Sequence, residues 1–167
     1  MPQSVNGVFD GLWAALVTMY GTTTDPELGT QNAMWEDHPL VLVEGAPSVT
    51  VPDIIISMGT DARGSITRPT LGTPRSRETV LEIDVVISVA IGGDERVQGP
   101  ARALAYELLE PLLEWFRVHG QETLGGACRD SFVTATPGQP YPATTAEGSI
   151  YGRAYDITAT VTAYVRT

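Results

Sequence analysis

The stretch TVLEIDVVISVAI, residues 79–91, decides the fold. Large aliphatic side chains at its odd positions alternate with polar or smaller ones at its even positions, and this period of two persists over the whole stretch. A strand that alternates in this way buries one face against a core and leaves the other face free. The stretch therefore predicts a long β-strand with Ile83 and Ile87 on its core face.

A helix is expected directly after this strand. Gly92 and Gly93 end the alternation, and Pro100 suits a first helical turn, where its missing N–H is not needed. The apolar positions then recur at helical spacing: Val97, Ala101, Leu104, Ala105, Leu108, Leu112 and Trp115. Pro111 falls inside this stripe and is expected to kink the helix or divide it into two pieces.

The flanking sequence predicts one more helix and four more strands. A helix is expected from about residue 4 to residue 20, with Ser4 as its N-cap and Gly21 as its stop. Short strands are expected at 40–44, 49–58 and 130–136, and a second long alternating strand at 155–165. Residues 22–39 predict a loop with at most one short element, and residues 137–149 a long connection.

The predicted order of elements is thus α-β-β-β-α-β-β in a single domain, residues 1–167. Strands that meet through turns, with only two helices, favour an α+β fold in which a mostly antiparallel sheet carries both helices on one face.

The segment GTDARGSITRPTLGTPRSRE, residues 59–78, predicts an extended loop, or arm, between the second and third predicted strands. Glycines and prolines discourage regular structure in it, and loops of this length in a compact domain are usually functional or disordered. Four of the ten basic residues of the chain fall here, Arg63, Arg68, Arg75 and Arg77. Because arginine pairs well with carboxylates, these four residues are predicted to contact another subunit.

Composition narrows the function classes. The chain has twenty acidic and ten basic residues, a net charge of −10, and no lysine. Such an acidic chain disfavours direct DNA binding, which depends on cations at the phosphates. No run approaches the roughly 18 to 20 apolar residues of a membrane span, and no basic residue precedes the first apolar stretch as in a secretory signal. The absence of lysine is typical of a high-GC genome.

Residues that could carry catalysis are few. His38 and His119 lie far apart without companion ligands at metal-binding spacing, and Cys128 is the single cysteine. The glycines after residue 91 match neither common phosphate-binding motif. No nucleophile elbow is present. The sequence therefore predicts a protein that is not an enzyme, with no cofactor and no metal.

The whole pattern resembles the tail terminator proteins of long-tailed bacteriophages, particularly those of actinobacterial hosts. The likeness is carried by the first helix, EGAPSVTVPDIIISMG (44–59), the strand and helix at 77–114, LGGACRDSFVTA (124–135) and the ending YDITATVTAYVRT (155–167). Its most specific parts are Gly92 and Gly93 between strand and helix, and the ending from Ile157 to Ala163.

This resemblance implies a structural virion protein at the head-proximal end of the tail, assembled in the host cytoplasm. Such a protein forms a ring of six subunits that caps the tail tube, stops its polymerisation and joins a head-tail connector protein. Its partners would be its own copies, the tail tube protein and the connector, with genomic DNA passing through the lumen without specific binding and no membrane. Another ring protein of the virion, for head completion or the tail tube, is the alternative, followed by a small-ligand-binding or enzymatic domain.

Overall fold

The computed structural model describes residues 3–46, 53–69, 77–118 and 122–166. Two α-helices and nine β-strands occur in these residues, and a single 3-10 turn, Glu95–Val97, precedes the second helix. The elements in chain order are α1 (Val5–Tyr20), β1 (Thr23–Thr24), β2 (Gln31–Trp35), β3 (His38–Glu44), β4 (Ile54–Met58), β5 (Arg63–Pro69), β6 (Arg77–Gly92), α2 (Gln98–Val118), β7 (Asp130–Ala135), β8 (Gln139–Thr144) and β9 (Ile150–Arg166).

The strands form one sheet around a long antiparallel pair, β6 and β9. This pair runs from Glu78 opposite Arg166 to Gly92 opposite Gly152. On the far side of β6, β4 and β5 pair with different parts of the strand, and β3, β2 and β1 continue outward from β4. On the far side of β9, β7 and β8 pair with different parts of that strand. Strands β3 and β4 are parallel, and the other described pairs are antiparallel. The fold is therefore α+β with a mostly antiparallel sheet.

The predicted element order is only partly right, because four strands were not expected. These are β1, β2, β5 and β8, so that six strands lie between the helices and three follow α2. Strand β2 is half-exposed and β8 is almost wholly exposed, so neither has the alternating apolar pattern that reveals a strand in sequence. Both are held by main-chain hydrogen bonds to a more regular neighbour, which require no particular side chains.

Both helices pack on the same face of the sheet. The odd-numbered residues of β6 from Leu81 to Val89 and of β9 from Tyr155 to Val165 are buried, together with Val8, Leu12 and Leu16 of α1 and Leu104, Leu108 and Leu112 of α2. Ile83 and Ile87 are fully buried, as the alternation predicts. Each large aliphatic side chain buried there contributes roughly 1.5 to 3 kcal/mol.

The ends of α1 follow the sequence signals. The Ser4 side chain accepts a hydrogen bond of 3.0 Å from the Gly7 N–H, which satisfies one of the free donors of the first turn. Gly21 closes the helix in the left-handed conformation with φ 61°, a conformation that costs glycine little.

Helix α2 continues through Pro111 from Gln98 to Val118, so the helix is not divided there. Proline removes one main-chain hydrogen bond and crowds the preceding turn. Leu108 and Leu112 on either side of it are both fully buried in the core. Packing of the apolar stripe on both sides of Pro111 holds the two halves in one helix.

Strand β8 forms part of the outer margin of the sheet beside β9 and contains two prolines, Pro140 and Pro142. Main-chain N–H groups of successive residues in a strand point to opposite sides. Because proline cannot donate, the bonds to β9 must come from the alternate residues, and the nitrogens of Pro140 and Pro142 face away from the sheet.

Candidate interaction surface

The face of the sheet opposite the helices, here called the open face, is not covered by any element of the described residues. On the central pair it consists of the even-numbered residues of β6 from Glu78 to Ala90 and of β9 from Ala154 to Arg166. Although these positions lie mid-sheet, most of them remain partly exposed. Aliphatic, threonine and acidic side chains are mixed on this face.

The centre of the open face is organised around Asp84. Its carboxylate accepts a hydrogen bond of 2.9 Å from the Thr160 hydroxyl on the neighbouring strand and one of 2.5 Å from the Arg63 guanidinium. The Asp84 side chain is 30% exposed and that of Arg63 is 64% exposed. The pair is therefore accessible to solvent and to a partner.

One end of the open face carries an aromatic and charged group near the start of β6. The Arg129 guanidinium lies 2.8 Å from the Glu78 carboxylate and 5.6 Å from the centre of the Tyr164 ring. Phe132 packs against Tyr164 with ring centres 6.2 Å apart, and 43% of Phe132 is exposed. This arrangement holds Arg129 in place through both an ion pair and a cation-π contact.

The opposite end, near Gly92, contains a cleft of about 220 Å³. Small residues of the two central strands form its floor, chiefly Ser88, Ala90 and Ala154, and Ile55 and the rings of Tyr141 and Tyr151 form its walls. We call this the tyrosine cleft. It is mostly apolar with a polar rim.

One acidic residue lines the tyrosine cleft, and a second lies behind Tyr141. Asp53 lies on the rim of the cleft and pairs with the His38 imidazole at 3.0 Å. The Tyr141 hydroxyl donates a hydrogen bond of 2.9 Å to Asp156 on its other side. Partial burial and the neighbouring Asp156 carboxylate raise the pKa of Tyr141, which therefore keeps its proton and remains a donor.

The four arginines predicted to contact another subunit do not share one loop. Arg63 begins β5 and is held against Asp84 on the open face. Arg68 lies opposite Glu78 in the β5–β6 ladder, and Arg77 opposite Pro69. Arg75 lies outside the described residues. The structure therefore brings Arg63, Arg68 and Arg77 onto one β-hairpin.

The prediction that residues 59–78 form an extended loop is wrong for residues 63–69 and 77–78, which lie in strands. Residues 63–69 form β5, and β6 already begins at Arg77. The register shifts between Arg63 and Ile66, so the ladder accommodates Gly64 and Ser65 as an irregularity. Pro69 is the last residue of a strand at the sheet margin, where its missing N–H is tolerated. Residues 70–76, between β5 and β6 in the chain, lie outside the described residues.

The single thiol is placed as a core group. Cys128 is 2% exposed, and its Sγ contacts the Glu122 carbonyl at 3.7 Å. Burial raises its pKa to about 11, which suppresses the reactive thiolate at neutral pH. His119 lies outside the described residues.

Other groups that could carry catalysis or bind a metal are sparse in the described part of the chain. No group of three or more His, Cys, Asp or Glu side chains is placed there to hold a metal ion. His38 bonds to Asp53, but no described hydroxyl or thiol bonds to its other ring nitrogen. A His–Asp pair contributes to nucleophilic catalysis when such a nucleophile is present. Of the helices the structure describes, none has the length and apolar character to span a membrane.

The sequence did not reveal the tyrosine cleft. Its walls come from β8, which lacks a strand pattern, from β4 and the residue just before it, and from the start of β9. The sequence held one sign of a surface here: in the last strand, threonines and charged residues alternate with the core residues, so the second face of that strand is neither fully polar nor fully apolar. No known protein-family profile matches the chain, and a search of curated proteins found no match.

Proposed function

We propose that this chain is a structural virion protein of a long-tailed bacteriophage. Its copies assemble into a ring that caps the tail tube, ends tube polymerisation and joins the tail to the head connector. The observation that carries the proposal is the open face, a wide and partly exposed sheet surface of mixed aliphatic, threonine and acidic side chains. A broad sheet surface that no described element covers offers area for contact with other subunits.

The charge of the chain fits a conduit for DNA. Six copies with a net charge of −10 each carry about sixty negative charges around the ring. Repulsion between like charges acts over about 8 Å at physiological ionic strength, so an acidic wall keeps a passing duplex from adhering. The strong binding of phosphates that a basic wall would produce is avoided.

The test of the proposal is the assembly state and the capping activity of the purified full chain. Light scattering and electron microscopy should show closed rings of uniform size. Addition of these rings to polymerising tail tubes of the same phage should stop their growth. Long filaments of the chain alone would instead identify a tube protein, and a stable monomer that does not affect tube growth would contradict the proposal.

A matched pair of variants addresses the arginines of the hairpin. Simultaneous replacement of Arg63, Arg68, Arg75 and Arg77 by Gln should leave a folded chain that no longer forms rings or no longer caps tubes. The control replaces Arg96, Arg102, Arg117 and Arg153, four arginines outside that segment, by Gln and changes the net charge equally. If both quadruple variants behave alike, net charge and not the hairpin governs assembly.

A further inference from the structure

Strand β7 (Asp130–Ala135) forms a margin of the sheet and pairs only with β9 among the described strands. The Thr136 N–H, directly after the strand, donates a hydrogen bond of 3.0 Å to the Thr158 carbonyl of β9. Because the N–H groups of successive residues in a strand point to opposite sides, the even-numbered residues of β7 face β9. The main-chain N–H and C=O groups of the odd-numbered residues therefore point outward, away from the sheet: Ser131, Val133 and Ala135.

Strands β1, β5 and β8, at other margins of the sheet, carry features that discourage the addition of a further strand. Strand β8 contains Pro140 and Pro142, β5 contains a register shift and ends in Pro69, and β1 is only two residues long. Prolines, irregularities and very short strands are common means by which proteins keep a sheet margin from pairing. Strand β7 has none of these features, since its sequence DSFVTA is without proline and its register with β9 is unbroken. Its outward main-chain groups are therefore open to a strand of another molecule.

A second copy of β7 fits this margin in the antiparallel orientation. When Val133 of one copy lies opposite Val133 of the other, Ser131 lies opposite Ala135, and each outward N–H meets an outward carbonyl. Asp130 then lies opposite Thr136, so no two carboxylates face each other. The parallel orientation would instead place the two copies of Asp130 side by side, which is unfavourable for like charges.

The side chains of β7 also match in this register. Phe132 is 43% exposed and lies on the open face, as does the exposed Thr134. Phe132 of one copy lies opposite Thr134 of the other, and the two Phe132 residues are diagonal neighbours roughly 7 to 8 Å apart, within reach of aromatic side chains. On the helix side of the sheet, the half-buried Val133 meets its counterpart. Pairing thus removes from water apolar surface that the single chain exposes.

We propose that β7 is the docking site for β7 of a second copy of this chain, in the antiparallel orientation, about a two-fold axis at Val133. Each copy offers and receives the same strand, so the contact is isologous. It joins two copies and closes no ring by itself. The inference therefore goes beyond the proposed function and does not depend on it.

The first test compares the dissociation of three full-length chains on dilution, measured by light scattering. Ala135→Pro removes an outward N–H that β9 does not use, at an exposed position, so the subunit should still fold. Ala135→Thr is the control, because threonine keeps the N–H and suits a strand. Wild type and Ala135→Thr should dissociate into units of about half the mass. Ala135→Pro should dissociate at concentrations on the order of tenfold higher or more, because each copy loses a main-chain hydrogen bond to the other.

The second test is disulfide cross-linking under mild oxidation, which reports the orientation of the two strands. Val133→Cys should form a disulfide with its own counterpart, with a yield on the order of tenfold above that of Asp130→Cys, because pairing brings the two thiols together. Asp130→Cys is the matched control, since the two residues at position 130 are adjacent only in the parallel orientation. If Val133→Cys does not fold, a mixture of Phe132→Cys and Thr134→Cys replaces it, since these exposed positions face each other in the proposed register.

Several results would overturn the proposal. They are a wild-type chain that does not dissociate into half-mass units, equal dissociation of wild type and a folded Ala135→Pro, and equal disulfide yields at positions 133 and 130. Cross-links of β7 only to an added tail tube protein would also overturn it and would identify a different partner for this margin.

These outcomes are distinguishable from a failure of the proposed function. Rings that cap tubes, with equal dissociation of wild type and Ala135→Pro, would reject the β7 contact and leave the function in place. Chains that pair through β7 and do not affect tube growth would support the contact and reject the function.

Discussion

The hydroxyl of Tyr20, the last residue of α1, donates a hydrogen bond of 2.7 Å to the main-chain carbonyl of Leu108 in α2. Pro111 lies three residues further along α2, where it removes a helical hydrogen bond and crowds the preceding turn. Tyr20 is 4% exposed, and its bond fastens the first helix to the second at this turn. The two helices are thus joined by a polar contact inside an otherwise apolar core.

Tyr20→Phe should therefore lower the free energy of unfolding by about 0.5 to 1.5 kcal/mol, because it removes a buried hydrogen bond between the two helices. Urea denaturation followed by circular dichroism measures the change. Tyr106→Phe provides a control, because Tyr106 is 41% exposed and its hydroxyl lies 3.5 Å from that of Tyr155, at the limit of hydrogen bonding. An equal loss in both variants would contradict the role of the Leu108 contact.

Tyr20 should also affect the free energy of unfolding at high pH. Burial raises the pKa of Tyr20 above that of an exposed tyrosine, which is about 10. As pH rises above about 10, the unfolded chain releases this proton before the folded chain does, so the free energy of unfolding falls. Tyr20→Phe should show a shallower fall between pH 9.5 and pH 11, two pH values chosen to bracket that range. Parallel curves for wild type and variant would argue against this assignment.

A charge at the centre of the core face should prevent folding. Ile87 is fully buried and lies opposite Ile157 of β9, so Ile87→Asp places a carboxylate without a partner in the core. Val86→Asp is the matched control, since the neighbouring side chain belongs to the open face and is partly exposed. Circular dichroism and thermal melting should show an unfolded Ile87→Asp chain and a folded Val86→Asp chain. Two folded variants would refute the assignment of faces.

Gly152 should not tolerate a side chain. It lies opposite Gly92 where the β6–β9 ladder ends, and a Cβ placed there would overlap the carbonyl oxygen of Ile91. Gly152→Ala should lower the melting temperature by several degrees, because strand pairing must shift to relieve the overlap. Gly99→Ala is the control, since nothing lies within 4 Å of its added Cβ and alanine favours helix. A melting temperature of Gly152→Ala equal to that of wild type would contradict this reading.

Cys128 should react with alkylating reagents only when the chain opens. Its side chain is buried, and its raised pKa of about 11 leaves little thiolate at pH 8. Iodoacetamide labelling of the native chain at pH 8 should therefore be at least about a hundredfold slower than labelling in urea, by the population of the free thiolate alone. Comparable rates in both conditions would show that the thiol is accessible in the folded state.

Side-chain periodicity explains which parts of the fold could be predicted. Strands β6 and β9 and both helices have large apolar residues at regular intervals, and their core faces follow directly from that spacing. The local sequence of β5 predicts a loop, because Gly64 and Pro69 disfavour a strand. Pairing with β6 outweighs this local preference and makes the segment a strand. The tyrosine cleft depends on which strands become neighbours, and the local pattern of one strand does not contain that information.

Pro140 and Pro142 protect one margin of the sheet from pairing with strands of other molecules. Exposed sheet margins recruit strands from other molecules when their N–H groups are free, and this is a common start of amyloid-like aggregation. On the outward side of β8, two successive N–H positions are occupied by proline and cannot donate. Strand β7, which pairs with another part of β9, has the sequence DSFVTA and contains no proline. Chains at high concentration are thus protected from fibril growth along β8. Replacement of both prolines would remove that protection without altering the core.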